Sequence, residues 1–98
     1  ADRLAGAGCF AMVLECVPAD VGKRVAGAVD IPVIGIGAGV DTDGQVLVLQ
    51  DLLGADPSFK PRFVRRYLDI HGDIRKAVNR FHADVHGRAF PDAQESYA

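Results

Sequence analysis

The run Phe10-Ala11-Met12-Val13-Leu14 sets the strongest limit on what this chain can fold into. Five apolar residues in succession, stopped by the carboxylate of Glu15, fit a strand buried on both faces. Pro18 supplies no ladder donor and suits the first turn of a helix. Glu15 therefore belongs at the carboxyl end of a parallel strand, the edge where ligands bind and catalytic side chains project in α/β folds. On position alone a solvated loop-edge carboxylate is the simpler reading.

Two more apolar runs follow, at residues 31–36 and 46–49. Between the first two, residues 18–29 carry Val21, Val25, Ala28 and Val29 at helical spacing, with Gly22 and Gly27 as weak points that let a helix approach a sheet closely. A short helix is expected at residues 2–7, with Gly6 or Gly8 as its left-handed cap. Residues 62–70 pair Phe63 with Tyr67 at i, i+4 and read as a helix. Residues 73–86 align Ile74, Ala77, Val78, Phe81 and Val85, with Asp73 as N-cap and Gly87 as C-cap. Strand, helix, strand, loop, strand, helix, helix predicts an α/β fold with three adjacent parallel strands in chain order. Three such strands leave two open edges, and too few helices are present to cover both faces. The chain reads as part of a larger sheet or barrel. It also starts in what looks like the last turns of a helix, with no initiating Met, as a fragment or a processed chain would.

Composition narrows the function classes. A content of 49% hydrophobic and 24% charged residues is that of a folded globular domain, and a net charge of −2 offers no basic field for nucleic acid or anionic membrane. No apolar stretch approaches the roughly 20 residues of a membrane span, and no signal-peptide pattern is present. Cys9 and Cys16 fit buried, reduced thiols of a cytoplasmic protein.

Four constellations could carry chemistry. Gly35-Ile36-Gly37-Ala38-Gly39 follows a strand, but Val40 stands where a dinucleotide fingerprint needs glycine, so a barrel-mouth turn fits better than a Rossmann site. Asp41, Asp43 and Asp51 could face a hard cation, yet Asp41-Thr42-Asp43-Gly44 is an ordinary turn sequence. His82 and His86 share a helix face without a third ligand, and His71 at a helix entry reads as structural. Lys60, Arg62, Arg65 and Arg66 read as a charged outer face or subunit contact.

The words Leu14-Glu15-Cys16-Val17-Pro18, Ile31-Pro32-Val33-Ile34-Gly35-Ile36-Gly37-Ala38-Gly39 and Asp43-Gly44-Gln45-Val46-Leu47-Val48 stand in order. With Gly72-Asp73-Ile74-Arg75, Ala77-Val78 and Phe90-Pro91, they closely resemble the ketopantoate hydroxymethyltransferase family over nearly the whole chain, from about Leu4 onward. The resemblance implies a (β/α)8 TIM barrel, with residues 1–98 as the C-terminal part of that single domain, supplying its last three strands and closing helices. It implies transfer of a hydroxymethyl group from 5,10-methylenetetrahydrofolate to 3-methyl-2-oxobutanoate, giving 2-dehydropantoate on the route to pantothenate. It further implies Mg²⁺ bound by ligands outside this chain, a large cytoplasmic homo-oligomer, and Glu15 as the proton acceptor. The chemistry suits that residue: a carboxylate drawn out of water is a better base for the weakly acidic C3 proton of an α-keto acid, and a bound Mg²⁺ would favour the enolate. The tail reads Gln94-Glu95-Ser96-Tyr97 where the family commonly has Glu-His-Ser-Phe, so no histidine role carries over there.

Alternatives stay open at this point: a Mg²⁺-dependent barrel lyase that forms an enolate without folate, or a non-catalytic barrel fragment. On the leading reading the fragment alone is expected to be inactive and to bind no Mg²⁺ tightly.

Overall fold

A computed structural model describes all of residues 1–98. The elements in order are α1 (Asp2–Gly6), β1 (Met12–Glu15), α2 (Ala19–Ala28), β2 (Val33–Ile36), β3 (Gly44–Gln45), α3 (Leu49–Leu52) and α4 (Ile70–His86). The three strands form one parallel sheet in the order β1-β2-β3. Met12 pairs with Val33 and Glu15 with Ile36, while Gly44 pairs with Ile34. The α/β class, the strand order and the parallel sense are those expected.

Each apolar run is trimmed at its start. Phe10, 89% exposed, lies outside β1, and Pro32 precedes β2, where its missing donor does no harm. Burial on both faces of β1 does not hold within this chain. Met12 and Leu14 are half-buried, whereas Val13 and Glu15 lie on an uncovered face, because no second layer of these 98 residues reaches that side. Cys16 is likewise exposed rather than buried, and both thiols are free.

β2 is the centre of the packing. Val33 is fully buried and Ile36 and Ala38 are buried beside it, each such side chain contributing about 1.5–3 kcal/mol where it is aliphatic and large. α2 docks on this strand through its one buried residue, Gly22. A Cβ at Gly22 would collide with the Ala38 carbonyl oxygen, so the close approach needs glycine there. Gly27 meets nothing within 4 Å and plays no such part.

The third strand departs from expectation. Pairing occurs at Gly44–Gln45, not at residues 46–49, and only the Val46 amide, donating to the Gly35 carbonyl at 3.0 Å, prolongs it. Polar contacts in the preceding turn decide this register. The Val33 amide donates to Asp43 Oδ2 (2.8 Å), the Asp43 amide donates to the Val33 carbonyl (3.0 Å), and the Thr42 hydroxyl donates to the Gly44 carbonyl (3.0 Å). Residues 37–43 can return the chain to the start of β2 without a crossover helix because that strand is only four residues long, about 13 Å. Val46, Val48 and Leu49 then leave the sheet, 44–63% exposed, and α3 begins at Leu49.

The helix expected at residues 62–70 does not form. The half-buried Arg66 donates through Nη2 to the carbonyls of Asp56 (2.8 Å), Pro57 (3.2 Å) and Phe59 (3.0 Å). The amides of Tyr67 and Ile70 donate to Leu52 and Leu53 at the end of α3 (2.8 and 3.0 Å). Those amides would be needed for helical bonds, and the tertiary partners take them instead. α4 starts earlier than expected, at Ile70, where Asp69 rather than Asp73 is the N-cap and accepts from the Gly72 amide. Gly87 is the C-cap in a right-handed conformation, and Arg88 takes the left-handed one (φ 57°). At the other end Gly8 (φ 96°), not Gly6, turns the chain out of α1. Ile74, Val78, Phe81 and Val85 remain about half exposed along α4. The radius of gyration, 22.4 Å, far exceeds the roughly 13 Å of a compact 100-residue domain. No helix is long and apolar enough to cross a membrane.

The two glycines of α2 should respond oppositely to alanine. Gly22→Ala forces the helix off β2, an overpacking cost of about 1–3 kcal/mol, which outweighs the propensity gain of at most about 1 kcal/mol. Gly27→Ala keeps that gain without a clash. Urea unfolding of the complete protein should show a lower midpoint for the first variant and an equal or higher one for the second.

Candidate active site

The site is built where β1 and β2 end. Glu15 is the last residue of β1, and its strand partner is Ile36, the last residue of β2. The Cys16 amide donates to the Ile36 carbonyl at 2.9 Å, which closes the ladder. Cys16 then takes a left-handed conformation (φ 54°), which costs a non-glycine residue about 1–3 kcal/mol and is found disproportionately at functional sites. It turns the main chain sharply toward Pro18 and leaves Glu15 exposed on the open face of the sheet. The Cys16 Sγ lies 3.9 Å from Glu15 Oε1, a long thiol–carboxylate contact.

Beside Glu15, the turn after β2 runs through Gly37 with φ 65°. A Cβ there would lie 2.9 Å from Phe63 Cγ, so glycine is required both by the backbone and by the ring against it. Two clefts open around this contact. One, of about 560 Å³, is lined by Cys16, Val17, Pro18, Gly37, Gly39, Arg62 and Phe63. The other, of about 490 Å³, lies between Gly37–Gly39 and the segment containing Gln45, Val46, Leu47, Phe63, Arg65 and Tyr67. Glu15 sits one residue back from the lining of the first.

The basic run divides by role. Arg66 is the clamp already described, while Arg62 and Arg65 stand at the cleft rims without a hydrogen bond or ion pair. Reading 62–70 as a helix assigned Phe63 and Tyr67 to a packing stripe and hid their place at the clefts. The available signal was the punctuation by Gly54, Pro57 and Pro61 just before them.

A magnesium ion does not fit the acids of this chain. No three His, Cys, Asp or Glu side chains converge on one point. Asp43 is engaged by the Val33 amide, Asp41 is exposed, and Asp51 lies on α3. The His82 and His86 rings touch edge to face at 4.3 Å between centroids, and His71 is exposed near the start of α4, remote from these in sequence.

The loop that presents the arginines has its own anchor. Asp56 Oδ1 accepts from the Ser58 hydroxyl (2.6 Å) and amide (2.8 Å). The Ser58 side-chain bond, then its amide, holds the Asp56 carboxyl below its ordinary value of 3.8, with Arg66 adding a smaller pull.

A carboxylate, a strained turn and a glycine loop at the carboxyl edge of parallel strands are the arrangement of an α/β enzyme site. The chain belongs to the ketopantoate hydroxymethyltransferase family, whose model matches residues 1–93. It is 53% identical over 96 residues to a 3-methyl-2-oxobutanoate hydroxymethyltransferase of Bdellovibrio bacteriovorus, covering 98% of this chain and 36% of the relative. The protein of the same name from Christiangramia forsetii is 56% identical over 90 residues (92% and 33%), and that of Salinibacter ruber 53% over 97 residues (99% and 37%). The chain thus spans about a third of the length of the curated relatives it matches.

Because the Asp56 carboxyl is held below its usual range in the folded state, its contribution is complete above about pH 5. It is lost as pH falls through the depressed value. Relative to the intrinsic rate, hydrogen exchange of the Ser58 amide, followed down from pH 5, should therefore accelerate in the wild type once Asp56 protonates. Asp56→Ala should show faster exchange already at pH 5, relative to the intrinsic rate. An unchanged exchange rate in that variant would remove Asp56 as the anchor.

Proposed function

We propose that the protein containing this chain transfers a hydroxymethyl group from 5,10-methylenetetrahydrofolate to 3-methyl-2-oxobutanoate, forming 2-dehydropantoate. In this reading Glu15 removes the C3 proton of the keto acid. The electron pair left on C3 then bonds to the one-carbon unit, water supplies the hydroxyl oxygen, and tetrahydrofolate departs. The observation that carries the reading is the placement of Glu15: it ends β1 on the uncovered face and the chain turns away at Cys16 immediately after it. The names of the relatives, which state hydroxymethyl transfer to this keto acid, support the substrate.

The three parallel strands are read as consecutive members of a (β/α)8 barrel. The open face carrying Val13 and Glu15 supports this, since a closing barrel would turn that face inward. Their position as the last three strands rests on the family resemblance. Magnesium, in this reading, is held by residues outside these 98. The protein is read as cytoplasmic and homo-oligomeric. The half-exposed apolar stripe of α4 supports burial against the rest of the barrel or another copy.

Glu15→Gln keeps the shape of the side chain and cannot accept a proton. In the complete enzyme it should lower kcat by roughly two to four orders of magnitude, the span of a positioned general base. Exchange of the keto acid's C3 proton into D₂O without folate, followed by NMR, isolates the first step. Wild type should exchange and Glu15→Gln should not. Near wild-type exchange in the variant would assign proton removal to another group.

A further inference from the structure

Alternate glycines at residues 35, 37 and 39 run from β2 into the turn beside Glu15. Glycine is the least constrained backbone such a turn could have, and Gly37 and Gly39 both take positive φ (65° and 84°). Each of the three glycines makes room for a different neighbour. A Cβ at Gly37 would meet the Phe63 ring, and one at Gly39 would lie 2.6 Å from Ala19 Cβ at the start of α2. Those two contacts are chiefly apolar and limit the turn by bulk. A Cβ at Gly35 would lie 2.6 Å from Thr42 Oγ1 and 3.4 Å from Gln45 Nε2, so this glycine makes room for a polar strap. Gln45 pairs with Gly35 across the sheet. Its Nε2 donates back to the Gly39 carbonyl (2.8 Å) and to Thr42 Oγ1 (2.9 Å), which uses both amide hydrogens. The Thr42 hydroxyl in turn donates to the Gly44 carbonyl (3.0 Å). The bond from Gln45 is the one side-chain hydrogen bond that reaches residues 37–39.

We propose that Gln45 is a positioning residue of the reaction: its carboxamide locks the Gly37–Gly39 turn to β3, so that the turn keeps one position relative to Glu15. The inference rests on the transferase reading and deepens it. Glu15 is paired with Ile36 of β2, Gly35 of β2 is paired with Gln45 of β3, and the carboxamide of Gln45 ties β3 to the turn. The base and the turn are thus joined through the sheet by hydrogen bonds, all of them within residues 12–45. Removing a proton from carbon is demanding in geometry, since a misplacement of about 1 Å can cost on the order of a hundredfold in rate. Gly37 and Gly39 border the cleft that opens beside Cys16, so a turn free to move would let C3 of the keto acid drift from the carboxylate. Gln45 acts through Gly39 and takes no proton.

The test uses the complete enzyme and two variants of different chemistry. Gln45→Glu keeps the shape and loses the donors at neutral pH, and Gln45→Met keeps the bulk without a polar head. At saturating keto acid, both should slow folate-independent C3 exchange roughly tenfold, between the worth of one hydrogen bond and that of a full misplacement. Keto-acid affinity by calorimetry should change by less than about threefold, the contrast expected when geometry and not binding is lost. Thr42→Val removes the hydroxyl that orients the carboxamide and should slow exchange less than either, with Thr42→Ser faster than Thr42→Val. A strap that serves the fold alone would lower the midpoint of thermal unfolding and leave exchange per folded molecule at the wild-type rate, and that result would overturn the proposal. So would a slow exchange that saturating keto acid restores, which would make Gln45 a binding residue. If Glu15→Gln exchanges like wild type, the Glu15 reading and this role fall together. If Glu15→Gln is inert while both Gln45 variants exchange normally, the role of Gln45 alone is rejected.

Discussion

The sheet end depends on one close approach, that of α2 to the residue just after β2. Gly22 lets the helix lie against the Ala38 carbonyl, and Ala38 is fully buried there. This contact holds the start of the glycine turn in a fixed position relative to β2. Because Glu15 is paired with Ile36, the carboxylate and the turn are then parts of one rigid edge. A side chain at residue 22 would separate the layer that supports the turn from the strand that leads into it.

A second constraint acts on the other side of the clefts. Arg66 gathers the carbonyls of Asp56, Pro57 and Phe59, and the end of α3 takes the amides of Tyr67 and Ile70. One nitrogen of the half-buried Arg66, Nε, is buried without a partner. Carbonyls satisfied by a charged donor hold a non-helical segment more firmly than turn propensity could. The consequence is functional. Phe63 rests on Gly37 from this segment, so the wall between the two clefts comes from one part of the chain and the floor from another.

These features sit on a body that is far from closed. Four hydrophobic residues are buried, and the long axis is 68 Å. The stripe of α4 is an apolar surface of the kind a larger assembly covers. The proposed chemistry is consistent with that geometry, since a general base gains from the exclusion of water that a closed barrel would bring.

The first two apolar runs by themselves determined the α/β class, one adjacent pair of parallel strands and the location of Glu15 at a strand end. Continuous hydrophobic segments and a terminating carboxylate and proline are local signals. The stripe and C-terminal glycine of α4 were legible for the same reason. Tertiary contacts decided what such signals cannot. The third strand moved to Gly44–Gln45 because Asp43 and Thr42 bond across the turn. Residues 62–70 became a cleft wall because their amides and Arg66 found partners distant in sequence. The i, i+4 spacing of Phe63 and Tyr67 was a genuine helical pattern, overridden by hydrogen bonds that only the folded chain supplies. The role of Gly22 was foreseeable in kind, whereas its distinction from Gly27 required the position of the Ala38 carbonyl. Local sequence specifies which residues seek burial and where a strand must stop. Which face stays open, and which side chains meet across it, depends on long-range contacts.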